Sequence, residues 1–332
     1  MGMQIQFTSL KDVRRTNKNR KPKLIIYSIL IILLAANLSG LYIGNIFYKK
    51  AFDIDTKKEV DLYEASKTTF NERRFVNLQK EEVSISSKNN YKLYGTYIKN
   101  SKATKDTIIL VHGLAGSRWT VLKYADMYLD KGYNILIYDS RNHGHSGGDN
   151  VTYGYDEKND LDSWVRWVYL RNKGGIIGVH GESMGAATAL LQAELNEDKK
   201  RVSFYIADSS YADLKDVFLL RLKEDYKINN KFAANILLFY TEKVNQLRNN
   251  FKFNEASPKY IMKDISTPVL FIQGNQDNFI PQNSSEDLYK LKNGPKELFL
   301  VPNASHIKSY ETNPDAYKDK VYNFIDKVTG SK

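Results

Sequence analysis

The chain has 332 residues, of which 42% are hydrophobic and 26% charged. That profile fits a folded protein with one large core plus appendages and excludes a disordered or low-complexity class. Cysteine is absent, which excludes disulfides, thiolate metal ligands and a cysteine nucleophile, while the formal net charge of +11 invites a nucleic-acid reading.

The charge is local. Residues 1–50 hold nine Lys or Arg and one Asp, whereas the remainder holds forty basic and thirty-seven acidic side chains. The basic bias belongs to the N-terminus, no nucleic-acid motif accompanies it, and no nucleic-acid partner is expected. Leu24–Tyr48 (LIIYSILIILLAANLSGLYIGNIFY) is 25 residues without a charge. About 20 apolar residues at 1.5 Å each span the hydrocarbon core of a bilayer. Seven Lys or Arg precede this run between Lys11 and Lys23, and only Lys49 and Lys50 follow it closely. The positive-inside bias then keeps the N-terminus cytoplasmic and puts the rest of the chain on the outer side of the cell membrane. The rival reading is a cleaved signal peptide, with Ala35 and Ala36 as small residues. The expected layout is a basic tail at 1–23, a single-pass transmembrane anchor at 24–48, a stem at 49–80 and a large domain at 81–330. The stem reads either as an amphipathic helix on the domain or membrane surface, or as a solvated connector.

From residue 81 the pattern alternates. Val83 and Ile85, the turn Asn89-Asn90, then Leu93, Tyr94, Tyr97 and Ile98 predict an antiparallel hairpin. Continuous apolar runs follow at Thr107–Val111, Tyr133–Tyr138, Ile176–Val179, Val202–Ala207, Pro268–Ile272 and Glu297–Val301. Helical patterns separate them at about 119–131, 156–170 and 184–195, with a last helix at about 315–328. Short β-rich runs without alternation, divided by helices, predict strands of a parallel sheet buried on both faces, an α/β doubly wound fold. Ligand groups in such folds gather at the C-terminal ends of the strands.

Chemistry-bearing residues sit at those ends. Gly181-Glu182-Ser183-Met184-Gly185 is a G-x-S-x-G between a strand and a helix, the context a nucleophile elbow needs. A serine hydroxyl needs a base to take its proton. In the chain order Ser, acid, His the base comes last, which selects His306 among the five histidines. His112, His143 and His145 read as loop hydrogen-bonding groups and His180 as strand packing. A metal held by His143 and His145 is weak, since no carboxylate cluster or cysteine accompanies it, and neither metal nor cofactor is expected. Asp277 follows the run PVLFI and is placed to orient an imidazole. Asp208, after VSFYIA, is the alternative acid. Backbone N–H groups of Met184 and of Leu114, in the loop HGLAGS, are placed to stabilise an oxyanion.

HGLAGS, DSRNHGHSGG (Asp139–Gly148), GESMG, GNQDNFIP and NASH, in this order over roughly 81–328, resemble the α/β-hydrolase superfamily. The branch with serine aminopeptidase-like and monoacylglycerol-lipase-like enzymes is the most similar, and the N-terminal anchor resembles that of membrane-bound members from Gram-positive bacteria. The resemblance implies an eight-stranded, mostly parallel sheet and hydrolysis through an acyl-enzyme. Two positions depart from the pattern: Asn142 stands where the family often has Gly, and Gln273 where His is more usual. Ser183 in place of Asp argues against dehalogenase or epoxide-hydrolase chemistry.

An insertion at about 211–262 is expected to form a helical cap. Phe218, Leu219, Leu222, Ile236, Leu237, Phe239 and Tyr240 are candidates to line an acyl pocket, or else pack the cap on the core. The expected activity is cleavage of an ester, with a small-molecule or lipid-like acyl substrate. A peptidase is the alternative, with Glu224, Asp225 or Glu242 holding a substrate ammonium. A catalytically silent membrane-bound scaffold is the third reading.

Overall fold

Eight strands hydrogen-bond into one sheet in the computed structural model, which describes residues 20–54, 62–67 and 69–330. Most of the expected basic tail therefore lies outside the described residues, as does part of the stem. The strands are β1 (Lys80–Ser86), β2 (Lys92–Ile98), β3 (Thr107–Val111), β4 (Asn134–Tyr138), β5 (Ile177–Glu182), β6 (Phe204–Asp208), β7 (Val269–Gly274) and β8 (Lys296–Val301). Their order is β1-β2-β4-β3-β5-β6-β7-β8. The first hairpin and the β2–β4 pair are antiparallel and the other pairs parallel.

The helices are α1 (Arg20–Phe52), α2 (Leu62–Ser66), α3 (Glu72–Asn77), α4 (Ala125–Asp130), α5 (Glu157–Arg171), α6 (Met184–Lys199), α7 (Leu214–Glu224), α8 (Lys231–Asn249), α9 (Ser284–Leu291), α10 (Ser309–Thr312) and α11 (Pro314–Thr329). Every residue of β3 is buried, and the period of two in a strand explains how. Ile109 and Val111 face one core layer with Trp164 of α5 and Leu190 of α6. Ile108 and Leu110 face the other, with Tyr128 of α4 and Phe324 of α11. Burying each such aliphatic side chain is worth about 1.5–3 kcal/mol. The chain builds outward from β3 to β4, then returns to the other side of β3 with β5. That reversal opens a crevice at the C-terminal ends of β3 and β5.

Between β6 and β7 the chain forms α7, α8 and short 3₁₀ turns from Phe253 to Asp264. This insertion has its own core, and α1 completes it. Phe47, Tyr48, Ala51 and Phe52 are buried with Phe218, Leu222, Phe251 and Phe253. The stem expected from residue 49 thus begins as helix, because the last turn of α1 is held by tertiary contacts. Tyr153 Oη donates to the Ala51 carbonyl at 2.7 Å, and the Val151 N–H to that of Phe52 at 3.1 Å.

Helix α8 lies along α1. Tyr240 Oη donates to Asn37 Oδ1 at 3.1 Å and Arg248 to Asn45 Oδ1 at 2.8 Å. Both pairs join residues at the same separation in the chain, so the two helices run parallel. Gly40 and Gly44 make the approach feasible: a Cβ on Gly44 would lie 2.7 Å from the Tyr240 backbone carbon. Paired small residues four apart allow this kind of close helix contact. Upstream, α1 is exposed and apolar, with mean hydropathy 2.3 and no burial in its most apolar stretch. By length and composition it is a candidate to cross a bilayer. Further along, Tyr63, Phe70 and Phe75 gather around Trp119 and seat α2 and α3 on the domain.

Candidate active site

Ser183 sits between the end of β5 and the first turn of α6, with φ 55° and ψ −121°. A non-glycine residue at positive φ is uncommon and signals constraint. The flanking glycines permit it. A Cβ on Gly181 would lie 2.3 Å from the Gly185 carbonyl oxygen, and one on Gly185 2.3 Å from that of Val111. The Ser183 N–H is tied to the Asp208 carbonyl at 2.8 Å. The turn lifts the hydroxyl into a cleft lined by Leu114, Gly116, Phe279 and His306.

Three distant side chains meet there. Ser183 Oγ is 2.8 Å from His306 Nε2, and His306 Nδ1 is 2.7 Å from Asp277 Oδ2. A carboxylate only accepts, so Nδ1–H donates to Asp277 and Nε2 is left to accept from the serine hydroxyl. Asp277 is fully buried, and its other oxygen accepts the N–H groups of Phe279 at 2.9 Å and Ile280 at 3.2 Å. Phe279 stacks on the His306 ring, with centroids 4.8 Å apart, and the Arg221 guanidinium covers the outer face of Phe279.

Neither the Leu114 nor the Met184 N–H has a hydrogen-bond partner among the described residues. Two buried histidines brace the loop that carries Leu114. The Ser140 N–H donates to His112 Nε2 at 2.9 Å, and His112 Nδ1 donates to the Gly113 carbonyl at 2.7 Å. The Ala115 N–H donates to His143 Nε2 at 3.2 Å, and His143 Nδ1 donates to the Arg141 carbonyl at 2.8 Å. Burial holds His112 down to about 4 and His143 to about 3, so both are neutral struts. His180 lies between Tyr128 and Tyr317, also held to about 3 by burial. His145 is exposed beside Tyr94. With both His143 nitrogens engaged, a metal pair with His145 has no free donor there.

Asp208 does not reach His306. Its carboxylate accepts from Tyr317 Oη at 2.9 Å, Ser209 Oγ at 3.0 Å and Tyr124 Oη at 3.3 Å, and burial raises it to about 6. The departures from the family pattern have local causes. Asn142 has φ 59°, a left-handed position that glycine favours and asparagine tolerates. Gln273 donates to the Pro281 carbonyl at 3.2 Å and accepts the Ser285 N–H at 2.9 Å, closing the turn that carries Asp277.

Lys123 gave no signal in the sequence, since a lone lysine in a helical stretch reads as solvent-facing. It is buried, 2.9 Å from Glu182 Oε2 and 2.9 Å from the Ile307 carbonyl, so one ammonium joins the neighbours of Ser183 and His306. Burial opposes its charge, but Glu182 and Glu311 outweigh that and raise its pKa. Ile307 has φ 53°, an outlier for a β-branched residue, and its N–H is held by Ser209 Oγ at 3.3 Å.

Among the cap candidates, Phe218 lines an apolar cavity next to the cleft, and Leu222 is buried in the cap core. Leu237 packs at the edge of that core, Phe239 points outward, and Tyr240 meets α1. None of these last three borders the Ser183 cleft. Of the carboxylates considered for a peptide ammonium, Glu224 pairs with Lys223, Asp225 with Arg221 in the lining of the same cavity as Phe218, and Glu242 accepts the Phe253 N–H.

Residues 106–235 match the α/β-hydrolase fold family. The chain is 35% identical over 306 residues to the uncharacterized protein YqkD of Bacillus subtilis (strain 168), covering 91% of this chain and 98% of that one. YfhR of Escherichia coli (strain K12) is 26% identical over 74% of this chain and 80% of its own length. The Pyrococcus furiosus esterase Pf2001 superposes with a TM-score of 0.61 at 25% identity, over 77% of this chain and 95% of that one. An eight-stranded sheet of this order, a serine on a strand-to-helix elbow and relatives matched along most of their length lead to one conclusion: the chain belongs to the α/β-hydrolase family.

Proposed function

We propose that this hydrolase cleaves carboxylic esters through an acyl-enzyme, with Ser183 as nucleophile, His306 as base and acid, and Asp277 as its orienting carboxylate. The observation that carries the reading is the unbroken chain from Ser183 Oγ through both His306 nitrogens to the buried Asp277. His306 takes the serine proton as Oγ attacks the carbonyl carbon. The N–H groups of Leu114 and Met184 stabilise the developing oxyanion, each worth about 2.7–4 kcal/mol of barrier. His306 then protonates the leaving alcohol, and water, deprotonated by the same imidazole, releases the acid. Asp277 keeps the imidazole in one tautomer and balances the imidazolium.

An ester substrate is favoured over a peptide because Glu224, Asp225 and Glu242 are each occupied by partners of their own chain. We place α1 in the cell membrane with its N-terminus cytoplasmic and the catalytic domain outside, from the charge asymmetry around its apolar run. The test is labelling by a fluorophosphonate probe together with p-nitrophenyl ester hydrolysis. Wild type is labelled and active, and Ser183→Ala loses both while keeping its circular dichroism spectrum. Absence of labelling in folded wild type overturns the reading in favour of a silent scaffold, and faster turnover of aminoacyl amides than of esters overturns it in favour of a peptidase.

A further inference from the structure

The cavity beside the Ser183 cleft has a volume of about 170 Å³ and a mainly apolar lining, in which Lys50, Arg221 and Asp225 are the charged members. Leu114 and Phe279 border both spaces, so the cavity adjoins the reacting serine. Its far wall comes from two sources. Val217 and Phe218 belong to α7, and Phe47 and Ala51 belong to the last two turns of α1. Phe47 meets Phe218 edge-on with ring centroids 6.0 Å apart, and Ala51 is held by the hydrogen bond from Tyr153. On the same helix, Leu24 to Leu34 and Leu38 expose large apolar side chains. The segment suited to a bilayer therefore runs, without a break in the helix, into the wall of the cavity.

We propose that this cavity takes the acyl chain of a lipid ester and that the end of α1 is one of its walls, so that the anchor is a component of the substrate site. The inference rests on the hydrolase reading above and names its substrate class. An acyl chain bonded at Ser183 passes between Leu114 and Phe279 and ends against Phe47 and Ala51. The apolar side chains of the wall favour such a chain through the surface each methylene removes from water, and the charges of Arg221 and Asp225 are paired with each other. The cavity lies where the helix leaves its bilayer-suited stretch, so a lipid chain reaches it along the helix.

Full-length protein in detergent tests this in two ways. Ala51→Phe fills the cavity from the α1 side. It lowers the ratio of kcat/KM for p-nitrophenyl laurate to that for p-nitrophenyl acetate at least tenfold, whereas Ile43→Phe, on the exposed face of the same helix, leaves the ratio within twofold. An unchanged ratio for Ala51→Phe overturns the proposal. The second test needs no variant. A dodecyl fluorophosphonate with a diazirine at the chain end phosphonylates Ser183 Oγ with loss of fluoride, and irradiation then crosslinks its tail. Mass spectrometry finds the crosslink within residues 47–54 or on Val217 or Phe218. Crosslinks confined to other segments overturn the inference and leave the hydrolase reading standing. No labelling of Ser183, by this probe or by a short-chain one, overturns both.

Discussion

At the scale of single residues, the candidate site is braced by buried side chains outside the lining of the Ser183 cleft. Lys123 is the clearest. Lys123→Met strips a buried carboxylate, Glu182, of its counter-charge and frees the Ile307 carbonyl next to His306. Breaking a buried pair from one side costs about 3–5 kcal/mol. The expected result is a fall in kcat of at least about tenfold with little change in KM, slower fluorophosphonate labelling and a lower unfolding midpoint. Adding Glu182→Gln removes the stranded charge and recovers stability but not kcat, which separates positioning from folding. His180 makes a prediction about pH. Burial holds it at about 3, below the ordinary value near 6.5. A depressed folded pKa means the unfolded chain takes up the proton first as pH falls. The stability that neutral His180 contributes is therefore full above about pH 6.5 and is lost as pH drops towards 3. Urea denaturation of wild type and His180→Gln at pH steps from 8 to 4 should show the wild-type curve falling more steeply below 6.5, by up to about 1.4 kcal/mol per pH unit.

At the scale of elements, the α1–α8 contact carries the cap. Gly44→Leu pushes a branched side chain into the α8 backbone at Tyr240, and overpacking of this kind costs about 1–3 kcal/mol. Thermal unfolding in detergent should show a lower midpoint for this variant, whereas Ile43→Leu on the exposed side leaves it unchanged. The sheet was legible in the sequence because strands covered on both faces leave unbroken apolar runs, such as TIILV and NILIY. Ser183, His306 and Asp277 were legible as candidates because each follows one of those runs in a fixed order. The partner of α1 was not. Gly40 and Gly44 are small residues in an apolar run, and their use depends on Tyr240, two hundred residues away. Lys123 and Phe279 were hidden for the same reason: a contact between elements distant in the chain imposes no periodicity on either.

At the scale of the whole molecule, the domain boundary lies inside α1. A chain lacking residues 1–38 keeps Gly40 to Phe52 and should unfold within a few degrees of the intact protein. A chain lacking residues 1–53 loses Phe47, Tyr48, Ala51 and Phe52 from the cap core. Each large aromatic lost is worth about 3–5 kcal/mol, so its midpoint should drop by at least about 10 °C. Scanning calorimetry of the two forms distinguishes a removable tether from a structural element.

The continuity of α1 into the cap also has a mechanical meaning. A 33-residue helix is about 50 Å long at 1.5 Å per residue, and a bilayer core takes up about 30 Å of that. What protrudes is short, stiff and packed at its far end into the insertion between β6 and β7. With α1 in a membrane, the head cannot swing freely like a balloon on a string. It stands as if on a bracket, its cleft at a set height and tilt above that surface.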